Sequence, residues 1–180
     1  MPFLPVLLLL AALASPPAEP RITDLTTALD GMVVQVSFRL ADAFDEPLRA
    51  RLDSGLPTGF TYEIDFARDR KRWWDDVRAS IELEVVAMYN AVTREYLVNT
   101  KRDGKLTESR TVRSAEELER AMTRFDALET FDLTTAPERQ RLLVRVRAEL
   151  GSATWLGFIP VKKTTPWAES KKFRRPADLP

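Results

Sequence analysis

Val77-Arg78-Ala79-Ser80-Ile81-Glu82-Leu83-Glu84-Val85-Val86-Ala87-Met88-Tyr89 is the stretch that decides the fold class. Val77, Ala79, Ile81, Leu83, Val85, Ala87 and Tyr89 recur at every second position, and Glu82 and Glu84 alternate with them. Side chains of a strand point alternately to its two faces, so the pattern predicts a long strand with a dry face and a wet face. Antiparallel sheets are two-sided in this way. Upstream, Phe60, Tyr62, Ile64 and Phe66 alternate with Thr61, Glu63 and Asp65. Earlier still, Val34, Val36, Phe38 and Leu40 alternate with Gln35, Ser37 and Arg39. Ile22 to Leu29 reads as the strand before that one, joined through Asp30-Gly31, a turn that tolerates positive φ. Downstream, Glu95 to Thr100 returns after a turn at Asn90 to Thr93. A second turn at Arg102 to Lys105 leads into Lys105 to Val112, whose polar pattern predicts an edge strand. Gln140 to Leu150 puts Leu142, Val144, Val146, Ala148 and Leu150 on one face. Short strands are expected at Phe131 and Leu133 and over Trp155 to Val161.

Two helices interrupt the strands. Asp45 to Ser54 has a capping aspartate, Pro47 in the first turn, Leu48 and Leu52 on one side and Gly55 to end it. Ser114-Ala115-Glu116-Glu117 is a capping box, followed by Leu118, Ala121, Met122 and Phe125 in helical spacing. The sum is a mainly β protein, an antiparallel β-sandwich of about seven strands with two short helices. A partly closed barrel is the alternative.

The ends carry different information. Phe3 to Ala14 is apolar throughout apart from Pro5, and Ala12-Leu13-Ala14-Ser15 offers a signal peptidase its small residues. Residues 1–14 are therefore expected to be a signal peptide cut between Ala14 and Ser15, giving a periplasmic or secreted protein. Residues 15–21 form a proline-rich tether, residues 22–161 the sandwich, and residues 162–180 a loosely attached basic tail. The apolar run is shorter than the ~20 residues of a membrane helix.

Composition excludes much chemistry. The chain has no His and no Cys. That removes Ser-His-Asp and Cys-His machinery, disulfides and the usual zinc, copper and iron sites. No phosphate-cradling glycine loop is present, the densest acid cluster, Asp42 and Asp45-Glu46, lacks calcium-loop spacing, and no cofactor is expected. Lys plus Arg and Asp plus Glu both number 27, so there is no net field to attract nucleic acid.

Carboxylate pairs are the remaining catalytic device. Asp75-Asp76 lies beside Trp73-Trp74, but neighbours on a strand diverge. Glu82 and Glu84 share a face, as do Arg145 and Arg147, and the plain reading is a cross-strand charge ladder. Two basic-aromatic clusters are candidate surface contacts: Arg70, Lys71, Arg72 and Trp73, and in the tail Trp167, Lys171 and Lys172. Such mixtures suit an acidic partner or a membrane surface met peripherally.

Leu52-Asp53-Ser54-Gly55-Leu56-Pro57 leads into Phe60-Thr61-Tyr62-Glu63-Ile64. Trp73-Trp74-Asp75 follows, then Tyr89-Asn90-Ala91-Val92-Thr93-Arg94-Glu95-Tyr96, the Arg-rich strand at Arg145 to Glu149, and Trp167. In this order the segments resemble a family of exported bacterial proteins, domain of unknown function 4390. The resemblance implies no catalytic residues. It implies envelope signalling, because genes of the family lie beside those of membrane sensor histidine kinases. The expectation is an exported, non-enzymatic binding module whose partner is an envelope or membrane protein, a sensor histidine kinase among them, and not nucleic acid. One alternative is a carrier of an apolar ligand, with a cavity lined by Phe38, Phe60, Tyr62, Phe66 and Tyr89. Another is a glycan enzyme with two carboxylates about 5–10 Å apart across a cleft.

Overall fold

The computed structural model describes residues 18–69, 76–134, 136, 140–151 and 163–176. Strand β1 (Arg21–Asp30) turns through Gly31, at φ 58°, into β2 (Val33–Ala41). Helix α1 (Glu46–Asp53) follows. The Asp45 carboxylate accepts from the Leu48 N–H at 2.9 Å, and Leu52 is its buried residue. Strand β3 (Thr58–Arg68), β4 (Asp76–Asn90), β5 (Glu95–Arg102) and β6 (Lys105–Val112) pair successively, all antiparallel. Helix α2 (Ala115–Thr123) carries the expected capping box and leads directly into β7 (Arg124–Asp132). Strand β8 (Leu142–Leu150) and two short pieces, β9 (Lys163–Thr164) and β10 (Ala168–Glu169), complete the described elements.

The strands form two sheets. The smaller has the order β1-β2-β7; the larger runs β10-β8-β3-β4-β5-β6, with β9 also on β8. No barrel closes, and the protein is a mainly β sandwich. Val34, Val36, Phe38 and Leu40 of β2 face Phe60, Tyr62, Ile64 and Phe66 of β3, with Leu83 and Val85 of β4 and Val144, Val146 and Ala148 of β8 beside them, all buried. The Phe38 ring lies 5.3 Å from Tyr62, and the Phe125 ring 5.0 Å from it. Arg102 of β5 bridges the layers, donating to the carbonyls of Glu129 and Thr130 in β7 at 2.7 and 2.8 Å.

Three expectations are corrected. Phe125 stands on β7, and α2 ends at Thr123. Strand β7 is nine residues long, in place of a short strand at Phe131 and Leu133. Its register against β2 slips twice, and Ala127 sits at φ 51° with its N–H on the Ser37 hydroxyl. The bulges space Phe125, Leu128 and Phe131 three apart, so a strand mimics a helical period. Second, Val77 is 41% exposed and Ala79 is also exposed, since Ala79 lines an open cleft with Phe66 and Phe131. Third, residues 163–176 are no loose tail. They strap the edge of β8, meeting Leu142, Val144, Val146, Ala148 and Leu150 in turn. At two of these steps a hydroxyl replaces a backbone acceptor: Ser170 takes the Val144 N–H and Thr165 the Ala148 N–H, both at 3.0 Å. The expected signal peptide, the expected strand at Trp155 to Val161 and the cluster Arg70, Lys71, Arg72 and Trp73 lie outside the described residues.

Candidate functional site

The outer face of the large sheet carries the charge ladder, with partners set by strand order. Because β3 stands between β4 and β8, Arg145 reaches Asp65 through Nε and Nη2 at 2.9 and 2.8 Å, and Arg147 reaches Glu63 at 2.8 and 2.5 Å. Glu84 pairs with Lys101 at 3.0 Å, and Glu82 lies opposite Glu63. The two arginine pairs differ in burial. The Asp65 side chain is 4% exposed and that of Glu63 40% exposed, so removing a partner matters at the first and little at the second.

Trp167, expected as a surface contact, spreads over both guanidinium groups, 4.4 Å from that of Arg145 and 4.5 Å from that of Arg147. Lys172 pairs with Asp69 at 2.9 Å. Both therefore fasten the strap. Lys171 stays exposed, its carbonyl accepting from the Ser170 hydroxyl. Of the tail cluster, the fold uses the indole and one ammonium.

The clefts offer little reaction chemistry. The one between Phe66, Arg78, Phe131 and Asp132 holds about 450 Å³ and is open to solvent. Another, beside α2, sets Glu116 and Glu119 among Arg39, Arg120 and Arg124, with both carboxylates on one helix rather than on facing walls. A third is lined by Glu19, by Asp42, paired with Arg21 at 2.6 Å, and by Asp45, engaged as the α1 cap. Of the five aromatics expected around a ligand, Phe38, Phe60 and Tyr62 pack on one another, and only Phe66 lines a described cleft. Among the described residues no cluster of His, Cys, Asp and Glu suits a metal ion, and no helix is long and apolar enough to cross a membrane.

Among the described residues, four groups depart from their ordinary acidity, each for a structural reason. Burial raises the Tyr62 phenol well above its usual value. Partial burial, and then the 2.8 Å hydrogen bond to Asp53, raise Tyr96 to about 12. Glu117 is lowered by the N–H groups of Arg113 and Ser114 in the capping box, and Asp132 by the Thr134 hydroxyl and N–H. Asp132 stands at the open cleft without a second group suited to proton transfer, and Tyr96 lines a small cleft beside α1 together with its partner Asp53.

What distinguishes one place in the fold is the treatment of the sheet edges. An edge strand exposes unpaired N–H and C=O groups, which templates pairing with another chain unless it is covered. Edge β8 is covered by the strap. Edge β7 has two carbonyls occupied by Arg102. Edge β1 is broken by a register shift between Thr23 and Thr26, with Asp24 at φ 55°. Edge β6 has no strand on its far side among the described residues, and Lys105 to Thr111 is exposed throughout, with one register shift against β5 at Thr107. The sequence marked β6 as an edge; the strap on β8 and the Arg102 contacts on β7 were invisible, because both act at long range.

No curated protein and no solved structure matches the chain. The family profile described as Domain of unknown function (DUF4390) matches residues 18–154, which span β1 through β8 and stop before the strap. With most of its length covered by that match, the chain belongs to the DUF4390 family.

Proposed function

We propose that the domain is an exported, non-enzymatic binding module of the cell envelope, which takes an extended protein segment as an added strand along β6. The observation that carries this is the contrast among the edges: β8 is strapped and β7 has carbonyls engaged by Arg102, while β6 offers eight exposed or half-exposed residues. Added strands gain affinity from main-chain hydrogen bonds and specificity from alternate side chains. The placement in the envelope rests on Ala12-Leu13-Ala14-Ser15 after its apolar run. A membrane protein, with a sensor histidine kinase as the candidate from the family resemblance, is the partner class expected there. The packed aromatics favour this reading over a ligand carrier, and cleft carboxylates that share one helix or already hold a helix cap or an ion pair favour it over a glycan enzyme.

The test is a photo-crosslinking residue at Ser109 in the intact envelope, with the same residue at Met88, on the exposed outer face, as control. A discrete protein adduct from Ser109 and none from Met88 is expected. Absence of any Ser109 adduct overturns the reading. Mass spectrometry of the exported form should place Ser15 at the N-terminus; a cytosolic protein retaining Met1 contradicts the export part.

A further inference from the structure

We propose that the strand received along β6 is β6 of a second copy, so that two domains join edge to edge around a two-fold axis into one continuous sheet. This rests on reading β6 as the binding edge and names its occupant.

The register follows from charge and from the pleat. Antiparallel self-pairing puts each residue opposite its mirror position about the axis. A one-residue slip sends side chains to the wrong face, so the axis must pass through a residue rather than between two. On β6, Glu108 and Arg110 share the face of Thr100 and Val98, their partners on β5, and Ser109 lies on the other face with Asn99. An axis at Glu108 sets that carboxylate against itself, and an axis at Arg110 does the same to the guanidinium. An axis at Thr111 leaves both charges facing neutral residues, and one at Thr107 falls on the residue where the register against β5 shifts. An axis at Ser109 puts Glu108 of each copy opposite Arg110 of the other, twice over. It also sets Ser109 against Ser109, within the regular stretch Glu108 to Val112. Opposite charges and Thr or Ser pairs directly across strands are the stabilising combinations.

The local geometry leaves these groups available. The Glu108 and Arg110 side chains are 52% and 44% exposed, with Glu108 Oε1 3.6 Å from Arg110 Nε within one chain. Arg110 Nη2 also donates to the Ala121 carbonyl at 3.1 Å, which holds the guanidinium at the edge. Across the axis the same two charges would alternate in a ring of four. Helix α2 meets β6 through Arg110 and packs chiefly against β4 and β5. No proline interrupts Lys105 to Val112, and its one lysine stands at the end. Pairing over so few residues makes a small interface, which predicts a weak, concentration-dependent dimer.

Two experiments on the mature chain test this. In sedimentation equilibrium, Glu108→Arg and Arg110→Glu should each weaken self-association by about tenfold or more, because attraction becomes repulsion at two symmetric positions. Mixing the two variants should restore dimers, since one then carries two cations where the other carries two carboxylates. Single-cysteine trapping fixes the register, and the chain has no cysteine of its own to interfere. Ser109→Cys should cross-link to itself under mild oxidation. Thr111→Cys should not do so, because its copies lie about 13 Å apart along the strand. Cooperative thermal unfolding of each variant establishes that it is folded. Failure of the mixed charge variants to associate, or cross-linking of Ser109→Cys no faster than a cysteine at the exposed turn residue Val92, overturns the second copy as occupant. If the Ser109 photo-adduct then contains a different envelope protein, the reading of β6 as the binding edge survives; if there is no adduct of either kind, both fall.

Discussion

Tyr62→Phe removes a single oxygen from the centre of the sandwich. Tyr62 is fully buried, and its hydroxyl donates to the Met122 carbonyl at 2.7 Å. Its ring is held by Phe38, Phe60 and Phe125 at 5.3, 6.4 and 5.0 Å, contacts that phenylalanine keeps. The loss is then the hydrogen bond together with a carbonyl left dry and unpaired, about 1–3 kcal/mol. Urea unfolding should show a lower midpoint with an unchanged slope, because the surface exposed on unfolding is the same. Alkaline pH gives a second reading. Burial keeps the native phenol protonated, while the unfolded chain releases that proton near the ordinary tyrosine value of about 10. Rising pH therefore favours the unfolded state, and the stability this group contributes is lost above that value. The wild type should lose about 1 kcal/mol more than the variant between about pH 10 and 11. Tyr96, also raised, is common to both proteins and cancels. A loss below about 0.5 kcal/mol in urea, or the same alkaline slope in both proteins, would refute the assignment of the hydroxyl as a buried, engaged donor.

Other variants separate similar-looking groups. Arg145→Gln should cost about 3–5 kcal/mol, because it strands the buried Asp65, while Arg147→Gln, facing the half-open Glu63, should cost less than about 1 kcal/mol in the same denaturant assay. Ala127→Gly should raise stability by about 1 kcal/mol, since alanine there holds a left-handed conformation at φ 51°; a decrease in melting temperature contradicts this. Ser170→Ala leaves the Val144 N–H without its acceptor, so hydrogen exchange at Val144 should accelerate while exchange in β4 stays unchanged.

The periodic strands were legible because burial on one face leaves a period of two, and Val34 to Leu40, Phe60 to Phe66 and Ile81 to Val85 all show it intact. The helix caps at Asp45 and Ser114 were legible because capping is local in sequence. Strand β7 was not, since its bulges convert a period of two into a spacing of three immediately after a real helix. The strap was missed for a related reason. It pairs at every second residue of β8 and borrows hydroxyls from Thr165 and Ser170, so it has no run of alternating apolar residues to betray it. Trp167 and Lys172 looked like free surface chemistry because their anchors, Arg147 and Asp69, are distant in sequence. The candidate edge was half legible: polarity marked β6 as marginal, and only the assembled sheets reveal the strap on β8 and the Arg102 contacts on β7.

Helix α2 has an asymmetry with a kinetic consequence. Its first turn is completed by its own neighbours, Ser114 and Glu117. Its last turn has no terminating glycine and runs straight into β7. The carbonyl of Glu119 is taken by the Thr123 hydroxyl, but those of Ala121 and Met122 are taken by Arg110 of β6 and Tyr62 of β3. The start of the helix can form in microseconds from local sequence, whereas its end must await two strands from elsewhere in the chain. Folding should thus consolidate α2 from front to back, with transition-state contacts absent at Met122 until the sheets have met. Substitutions in the last turn should speed unfolding and leave the folding rate nearly untouched.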